Sequence, residues 1–301
     1  MPLFSDRSNS SYRLRLSALA LYLPLASIGA TWAHAQAEPN DDKSQYTLFN
    51  PTPRDLMRPM STDRPDTTES PYTVDAGHFQ LEMSFADYWS DDGSGNSPAS
   101  HGLSYAPMLL KLGLLNQVDL QLGFDPYTRE TTDAGLATSS TTVEGFGDII
   151  ARLKVNLWGN DGGDTAFAIM PFIEFPTANG DLGTSSVGGG LISVLAVELP
   201  HEFSSAFMVE FDCNSNEVLF PYVDDLVLTA TVSRPILGEL AGYVEYAGFI
   251  DLDGASDYEG YFDTGLTYGL SPDIQLDCGV RIGVTEAAVD LSVFAGISLR
   301  Y

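Results

Sequence analysis

The fold is decided by the stretch Val289-Asp290-Leu291-Ser292-Val293-Phe294-Ala295-Gly296-Ile297-Ser298-Leu299-Arg300-Tyr301. Every second residue from Val289 to Tyr301 is apolar, and the residues between them are polar or glycine apart from Phe294. Successive side chains of a β-strand point to opposite faces, so this alternation predicts a strand with one apolar face. Its length suits a strand that crosses a bilayer at a tilt. The stretch therefore predicts the closing strand of an outer-membrane β-barrel.

The same alternation recurs along the chain and indicates an all-β, antiparallel, up-and-down transmembrane barrel. We predict about twelve strands, at 77–88, 102–114, 118–126, 147–158, 165–176, 187–199, 203–213, 225–234, 240–250, 260–269, 274–285 and 289–301. Short turns alternate with longer loops near 89–101, 126–144, 177–186, 213–225 and 251–259, as in transmembrane barrels. An even strand number places both termini on the periplasmic side. The stretch 187–199 is apolar on both faces, which leaves its orientation open.

The composition of the polar faces indicates which side of the strands is the interior. These faces hold glycine, serine, threonine and scattered charges of both signs, and the whole chain has only 14 lysine and arginine residues. A solvated exterior of this size would carry more charge, so we favour a barrel that is apolar outside and polar inside. The alternative is a soluble periplasmic β-sandwich whose apolar faces form a shared core.

The N-terminus has the features of an export signal. Arg7, Arg13 and Arg15 precede an apolar run from Leu16 to Ala30, and a small-residue cleavage pattern ends at Ala35. Residues 1–35 are therefore predicted to be a signal peptide. Residues 36–76 are polar and contain several prolines, which predicts an extended N-terminal periplasmic segment, and 77–301 form the barrel. No later stretch approaches eighteen uninterrupted apolar residues, so no helical membrane span is expected.

The charge of the chain excludes some classes of partner. The formal net charge is −27, and removal of the signal peptide makes it more negative, which argues against nucleic acid and anionic lipid surfaces. The expected partners are outer-membrane lipid, the barrel-assembly machinery and a small-molecule solute. Cys213 and Cys278 lie on apolar faces; they could form a disulfide in an exported protein, but two small apolar side chains are the simpler interpretation.

The sequence offers little catalytic chemistry. Beyond the signal peptide the histidines are His78, His101 and His201, none at metal-ligand spacing from another, and no nucleophile elbow is present. We therefore expect no enzymatic activity, no metal site and no cofactor. The acidic stretch 251–259 could bind calcium through clustered oxygens, but it lacks the full loop pattern and fits a solvated turn better.

Charged residues on the polar faces are the candidate lumen and solute path: Glu82, Asp119, Arg152, Lys154, Glu174, Glu210, Asp277, Arg281 and Arg300. Both signs within one barrel allow either an ion-pair network that fills the lumen or a charged path for solute. The sequence leaves both interpretations open.

Several motifs carry a family resemblance. They are Thr62-Asp63-Arg64-Pro65-Asp66, Thr68-Glu69-Ser70-Pro71, Gly77-His78-Phe79-Gln80-Leu81-Glu82, Pro171-Phe172-Ile173-Glu174-Phe175-Pro176-Thr177 and Ser271-Pro272-Asp273-Ile274-Gln275-Leu276-Asp277. From about Ser61 to Tyr301 the chain resembles the bacterial outer-membrane transporters of the "meta-pathway of phenol degradation" family. It departs from the family in its two cysteines and in Val289, where the family leads us to expect proline.

The resemblance implies an outer-membrane channel for passive uptake of small solutes, including aromatic or hydrophobic compounds. Under this hypothesis the motif formed by Asp63, Arg64, Pro65, Asp66 and Glu69 lies at the periplasmic mouth as a plug or docking element. Assembly-signal residues are expected in the last strand, and these are Phe294, Ile297, Leu299 and Tyr301. The alternative is a closed barrel that acts structurally or binds partners at its surface.

Deletion of Tyr301 is predicted to reduce the amount of folded protein in the outer membrane several-fold, because assembly machinery reads a terminal aromatic strand. The measurement is the heat-modifiable band on a gel of isolated outer membranes. Normal outer-membrane levels of the truncated protein would contradict this role.

Overall fold

The computed structural model describes residues 42–93, 98–133, 140–179, 182–184, 186–216, 220–254 and 256–301. The predicted signal peptide and residues 36–41 lie outside the described residues. Three short 3-10 helices span Lys43–Gln45, Arg54–Leu56 and Pro200–Glu202. Within the described ranges no helix combines the length and apolar character needed to cross a membrane.

Fifteen strands form the sheet. They are β1 (Phe79–Asp91), β2 (Ser100–Tyr105), β3 (Met108–Leu115), β4 (Val118–Phe124), β5 (Tyr127–Thr132), β6 (Thr141–Gly145), β7 (Ile149–Trp158), β8 (Thr165–Phe175), β9 (Gly188–Leu199), β10 (Phe203–Asn216), β11 (Phe220–Leu237), β12 (Leu240–Asp251), β13 (Glu259–Ser271), β14 (Ile274–Gly283) and β15 (Leu291–Arg300). We call each crossing of the barrel wall a ribbon. Each of the pairs β2/β3, β4/β5 and β6/β7 forms one ribbon with a short break, so the sheet has twelve antiparallel ribbons.

The sheet closes on itself. β1 pairs with β15 from Gln80↔Arg300 to Ser90↔Leu291, and Phe79 and Tyr301 exchange backbone hydrogen bonds of 3.1 and 2.9 Å beyond the last pair. Pairing of β1 with β15 closes the wall, which is how a barrel avoids the exposed strand edges of an open sheet. At the loop end β6 pairs only with β5 among the described strands. The predicted all-β barrel of twelve strands is confirmed, and the β-sandwich alternative is wrong.

The breaks in three neighbouring ribbons were not predicted. The first two fall at Ala106-Pro107 and Asp125-Pro126, where proline has no N–H to donate to the ladder, and the third falls at 146–148. The predicted loops 126–144 and 213–225 are also shorter than expected, because β5 pairs with β6 and β10 continues to Asn216. The residues from Thr128 to Thr132 are polar on both faces, so their strand carries no alternation.

The two faces of the barrel have the predicted polarity. Apolar side chains on the outer face are 37–49% exposed, among them Leu110, Leu122, Leu153, Ile173, Phe207, Val244, Phe262 and Val293. Nine polar side chains on the inner face are at most 5% exposed: Gln80, Glu82, Lys111, Asp119, Gln121, Lys154, Glu245, Asp263 and Asp277. The orientation of β9, which the sequence left open, is given by its buried residues. Ile192 and Val194 point inward, where they pack with Met170 and Met208.

The two ends of the barrel carry different sets of connections, and we call them the turn end and the loop end. The turn end carries the short connections after β3, β7, β9, β11 and β13, and also the described C-terminus. The loop end carries the connections after β1, β5, β8, β10, β12 and β14. Cys213 on β10 and Cys278 on β14 do not form a disulfide bond with each other.

Val244→Arg tests the outer face. Val244 is 47% exposed near the middle of β12, and an arginine facing lipid at mid-depth costs about 2–4 kcal/mol. The free energy of unfolding in lipid vesicles, measured by urea titration, is expected to fall by this amount. Leu237→Arg at the turn end is the control, with an expected cost of about 0–1 kcal/mol. Equal small costs at both positions would mean that β12 faces water.

Candidate functional site: a lumen filled by the N-terminal segment

The N-terminal segment crosses the turn end and then enters the barrel. Leu48 N donates to Leu114 O at 2.8 Å beside the β3–β4 turn, and Thr52 N donates to Ala76 O at 2.9 Å. Residues 57–76, which we call the plug, pass into the lumen and return to the start of β1. The plug contains Asp63, Arg64, Pro65, Asp66 and Glu69, the motif expected at a barrel mouth, and its charged groups contact the inner wall.

The deepest ion pairs form around Asp63. Its carboxylate lies 2.5 Å from the ammonium of Lys111 and 2.7 Å from that of Lys154. Lys111 also contacts the carboxylate of Glu82. These four side chains are almost completely buried, so each charge would be very costly without its partners. Two cations and two anions compensate one another here, and one of the anions belongs to the plug.

Glu82 also binds the plug backbone. Its Oε2 accepts hydrogen bonds from Asp63 N at 2.9 Å and Arg64 N at 3.1 Å. Gln80 donates from Nε2 to Glu82 Oε1 and to Ser61 O, both at 2.8 Å. The inner face of β1 therefore fixes the direction of the plug chain at the point where Asp63 and Arg64 diverge.

Arg64 reaches Asp277 on β14. Its Nη2 lies 2.8 Å from Asp277 Oδ1, its Nε lies 3.3 Å from Oδ2, and its guanidinium faces the ring of Phe294 at 6.0 Å. A Cβ on Gly296 would come within 2.5 Å of Arg64 Nη2, so only glycine leaves room for this arginine. Phe294 thus lies in the lumen, whereas Ile297, Leu299 and Tyr301 lie on the outward parity of the closing strand. Their part in assembly stays a prediction.

A third set of contacts joins the plug to β12 and β13. Glu245 accepts hydrogen bonds from the backbone of Thr67 at 2.7 Å and Thr68 at 2.8 Å. Arg281 Nε lies 2.9 Å from Asp263 Oδ2, and its Nη2 donates to the hydroxyl of Thr67. The adjacent Pro65 and Asp66 are partly buried in the same part of the plug.

Further plug contacts lie on β4, β7 and β10. Glu69 forms an ion pair with Arg152, and its backbone N–H points at Met208 Sδ at 3.5 Å, at the edge of the apolar patch on β8–β11. On the return path Val74 N donates to Asp119 Oδ2 at 2.9 Å. Asn156 Nδ2 donates to Pro71 O at the same distance.

The plug is anchored again where it meets the turn end. Arg58 Nη2 lies 3.2 Å from Asp75 Oδ1 and 3.3 Å from Asp161 Oδ1, and Lys43 Nζ lies 2.9 Å from Asp161 Oδ1. Partial burial alone would raise the pKa of Asp161. Hydrogen bonds from Asn116 and Lys43, together with the charge of Arg58, lower that pKa below its ordinary value. Asp161 therefore stays ionised and holds the anchor at neutral pH.

The structure brings most of the predicted lumen residues onto the plug. Seven of them contact it: Glu82, Asp119, Arg152, Lys154, Asp277, Arg281 and Arg300. Arg300 does so at the turn end, where it donates to Arg58 O at 2.8 Å. Glu174 and Glu210 lie nearer the loop end and line cavities there.

Charged residues of the network that the sequence did not single out include Arg58 and Lys111. The signal for Lys111 was present in the sequence, because it alternates with Leu110 and Leu112 on the polar parity of β3. Arg58 had no comparable signal, since it lies in a segment without periodicity. Its contacts are set by the path of the plug.

A cavity of about 610 Å³ lies on the loop side of the plug. Arg64 and Arg152 line it next to the plug. Its other lining residues are of two kinds, apolar ones such as Met108, Leu109, Phe124 and Ile150, and acidic ones, Asp125, Asp148, Glu130 and Glu174. A small organic molecule that enters from the loop end would meet this mixed surface before the ion pairs.

The acidic stretch 251–259 has a local structural role. Asp251 accepts backbone hydrogen bonds from Asp253 at 2.8 Å, Gly254 at 3.0 Å and Ser256 at 2.7 Å. Among the described residues, no group of three or more acidic, histidine or cysteine side chains is placed to hold a metal ion. The contacts of Asp251 fit an ordered turn.

Residues 62–301 match the family model described as "Putative MetA-pathway of phenol degradation". The chain belongs to this family. The match includes the plug motif and the closing strand, which are the two parts joined by Arg64 and Asp277. No curated protein matches the sequence significantly.

Several solved structures resemble this chain at low identity. The NanC porin has 10% identity and a TM-score of 0.46, with 73% of this chain and 98% of that chain covered. The translocator domain of the autotransporter NalP from Neisseria meningitidis has 9% identity and a TM-score of 0.46, with 74% and 88% covered. The CymD monoaromatic hydrocarbon channel has 12% identity and a TM-score of 0.40, with 74% and 87% covered.

Lys154→Met tests the ion pair between Lys154 and Asp63, which holds the plug in the lumen. The substitution leaves buried Asp63 with one ammonium that it shares with Glu82, so the free energy of unfolding is expected to fall by about 3–5 kcal/mol. Asp63→Asn in the same chain removes the uncompensated charge and should recover most of the loss. Urea unfolding in lipid vesicles measures both.

The matched control is Arg129→Gln, which removes a cation from an exposed pair with Glu144 at 3.8 Å. Its expected cost is below about 1 kcal/mol. Strictly additive effects of Lys154→Met and Asp63→Asn would show that the two side chains are not coupled.

Proposed function

We propose that this protein is an outer-membrane channel for the passive uptake of small solutes, and that the plug has to shift for a solute to pass. The supporting observation is that Lys111, Lys154 and Asp277 on the barrel wall form ion pairs with the plug, which lies in the lumen and is not part of the wall. In this proposal the turn end is periplasmic, as in barrels with short periplasmic turns. The apolar outer face contacts outer-membrane lipid, and assembly machinery inserts the exported chain.

The chemistry of the plug contacts supports a movable segment. Apart from Glu69 beside Met208 and Arg64 facing the ring of Phe294, the contacts described above are ion pairs and hydrogen bonds. When water can enter, a hydrogen bond within the protein is exchanged for one to water at a net cost of only about 0.5–1.5 kcal/mol. An interlocked apolar seat would lose packing without such an exchange. A plug held by polar contacts can therefore leave its seat when the lumen becomes hydrated.

The solute class proposed from the family description is small aromatic or hydrophobic compounds. The cavity between the plug and the loop end supports a small organic solute through its size and its apolar lining by Met108, Leu109, Phe124 and Ile150. The second candidate function is a closed barrel with a structural or surface-binding role. The nearly complete burial of Lys111 and Lys154 under the plug favours that alternative.

Planar-bilayer recordings distinguish the two functions. The wild-type protein is expected to show rare openings, and Asp63→Asn/Arg64→Gln is expected to raise the open probability about tenfold or more, because it removes the plug charges that hold the two walls. Liposome swelling in arabinose should increase in parallel. The control Arg129→Gln/Glu144→Gln removes an exposed pair and should behave as wild type.

Absence of current and of swelling in both the wild type and the plug variant, with heat-modifiable migration intact, would exclude the channel. The closed structural barrel would then stand.

A further inference from the structure

Two adjacent plug residues of opposite charge span the lumen. The carboxylate of Asp63 is bound by Lys154 on β7 and Lys111 on β3, while the guanidinium of Arg64 is bound by Asp277 on β14. In the closed ribbon order, β7 and β14 are separated by four ribbons on one side and six on the other. Lys154 and Asp277 therefore lie on nearly opposite walls, whereas only β1 and β15 separate Lys111 on β3 from β14.

We propose that Asp63 and Arg64 occupy, as a built-in ligand, a binding site for small zwitterionic solutes. Lys154, assisted by Lys111, would bind the solute carboxylate, and Asp277 would bind its cationic nitrogen. The inference rests on the proposed function, because a solute reaches these groups only when the plug shifts. Of the small organic solutes proposed above, it selects those that carry a carboxylate and an amine or guanidine apart from one another, and it excludes uncharged hydrophobic compounds from this site.

The charges left behind by the plug define this specificity. Among the described residues Asp63 is the only acidic ion-pair partner of Lys154, and Arg64 is the only basic ion-pair partner of Asp277. Lys111 keeps Glu82 as a partner. Withdrawal of the two plug side chains thus exposes one cation and one anion across the lumen. A simple anion or a simple cation can compensate one of them, whereas a zwitterion compensates both.

The geometry of the site fits this chemistry. Arg64 binds Asp277 through two nitrogens, at 2.8 and 3.3 Å, and Asp63 offers both oxygens to Lys154, at 2.7 and 3.0 Å. Lys154 is thus placed to contact a carboxylate, and Asp277 is placed to contact a planar or tetrahedral cation. Both wall side chains are buried away from solvent. Charge-assisted hydrogen bonds of this type are about twice as strong as neutral ones.

The approach from the loop end disfavours simple anions. The cavity that reaches Arg64 is also lined by Asp125, Asp148 and Glu174. Clefts lined with charge of one sign repel ions of that sign and concentrate ions of the opposite sign. A solute with no net charge crosses this acidic region without the full repulsion, and its cationic group can interact with the carboxylates on the way.

The test uses the full-length chain with Asp63→Asn/Arg64→Gln, which removes the two plug charges and leaves the wall unchanged. Three probes of equal length are compared in planar bilayers: 5-aminopentanoate, pentanoate and pentylammonium. The zwitterion is expected to block the current at a concentration at least about tenfold lower than either singly charged probe. Titration calorimetry of the same variant in detergent micelles should give the same order of affinities.

Adding Lys154→Met to this variant should abolish the preference for the zwitterion. In this background Lys154 has lost Asp63, its acidic ion-pair partner. Its cross-strand neighbour Asp119 keeps Lys111 nearby and the hydrogen bonds from Val74 N and Gln121 Nε2. If the Lys154→Met variant shows no heat-modifiable migration and is therefore not folded, Lys154→Gln is used in its place. Arg129→Gln in the same background is the control and should keep the preference.

The outcomes separate this inference from the channel proposal. Current with equal block by the three probes overturns the zwitterion site and leaves the channel intact. No current, but calorimetric binding of 5-aminopentanoate that depends on Lys154, supports the site and overturns the channel. No preferential binding by either method overturns the inference.

Discussion

The interaction on which the structure of the lumen depends is the carboxylate of Asp63 between the ammonium groups of Lys111 and Lys154. The two lysines are 1% and 0% exposed, and an ion held so far from water requires an opposite charge at contact distance. Glu82 supplies half of that charge and the plug supplies the other half. The barrel wall is therefore electrostatically incomplete without the N-terminal segment.

The need for such a segment follows from the outer face. Once apolar side chains such as Leu122 and Val244 face outward, the side chains between them, most of which are polar, face inward, because successive residues of a strand point to opposite faces. Twelve ribbons enclose more space than their own side chains fill, so the lumen contains either water or another part of the chain. Here the plug fills the turn half with ion pairs, while Met170 and Ile192 add an apolar patch on one wall.

The sequence reveals what depends on local periodicity and conceals what depends on pairing across the barrel. The alternation in 289–301 predicts both the closing strand and its inner face, because neighbouring residues carry the signal. The break at Ala106-Pro107 interrupts an alternation that otherwise continues, so it could be located only with the partner strand known. The pairing of Asp63 with Lys154 joins residues 91 positions apart and has no periodic signature. The family resemblance marked the plug motif as special, yet it gave no partner for any of its charges.

The burial of these ion pairs also determines what can move the plug. Salt screens exposed charges over about 8 Å at physiological ionic strength, but buried pairs are screened much less. Ionic strength alone is therefore a weak means of releasing Asp63 from Lys154 or Arg64 from Asp277. Removing one partner of a buried pair leaves an uncompensated charge, which costs several kcal/mol. The plug leaves at low cost only when water or a solute with the same pattern of charges takes its place, so the residues that close the lumen also specify what can open it.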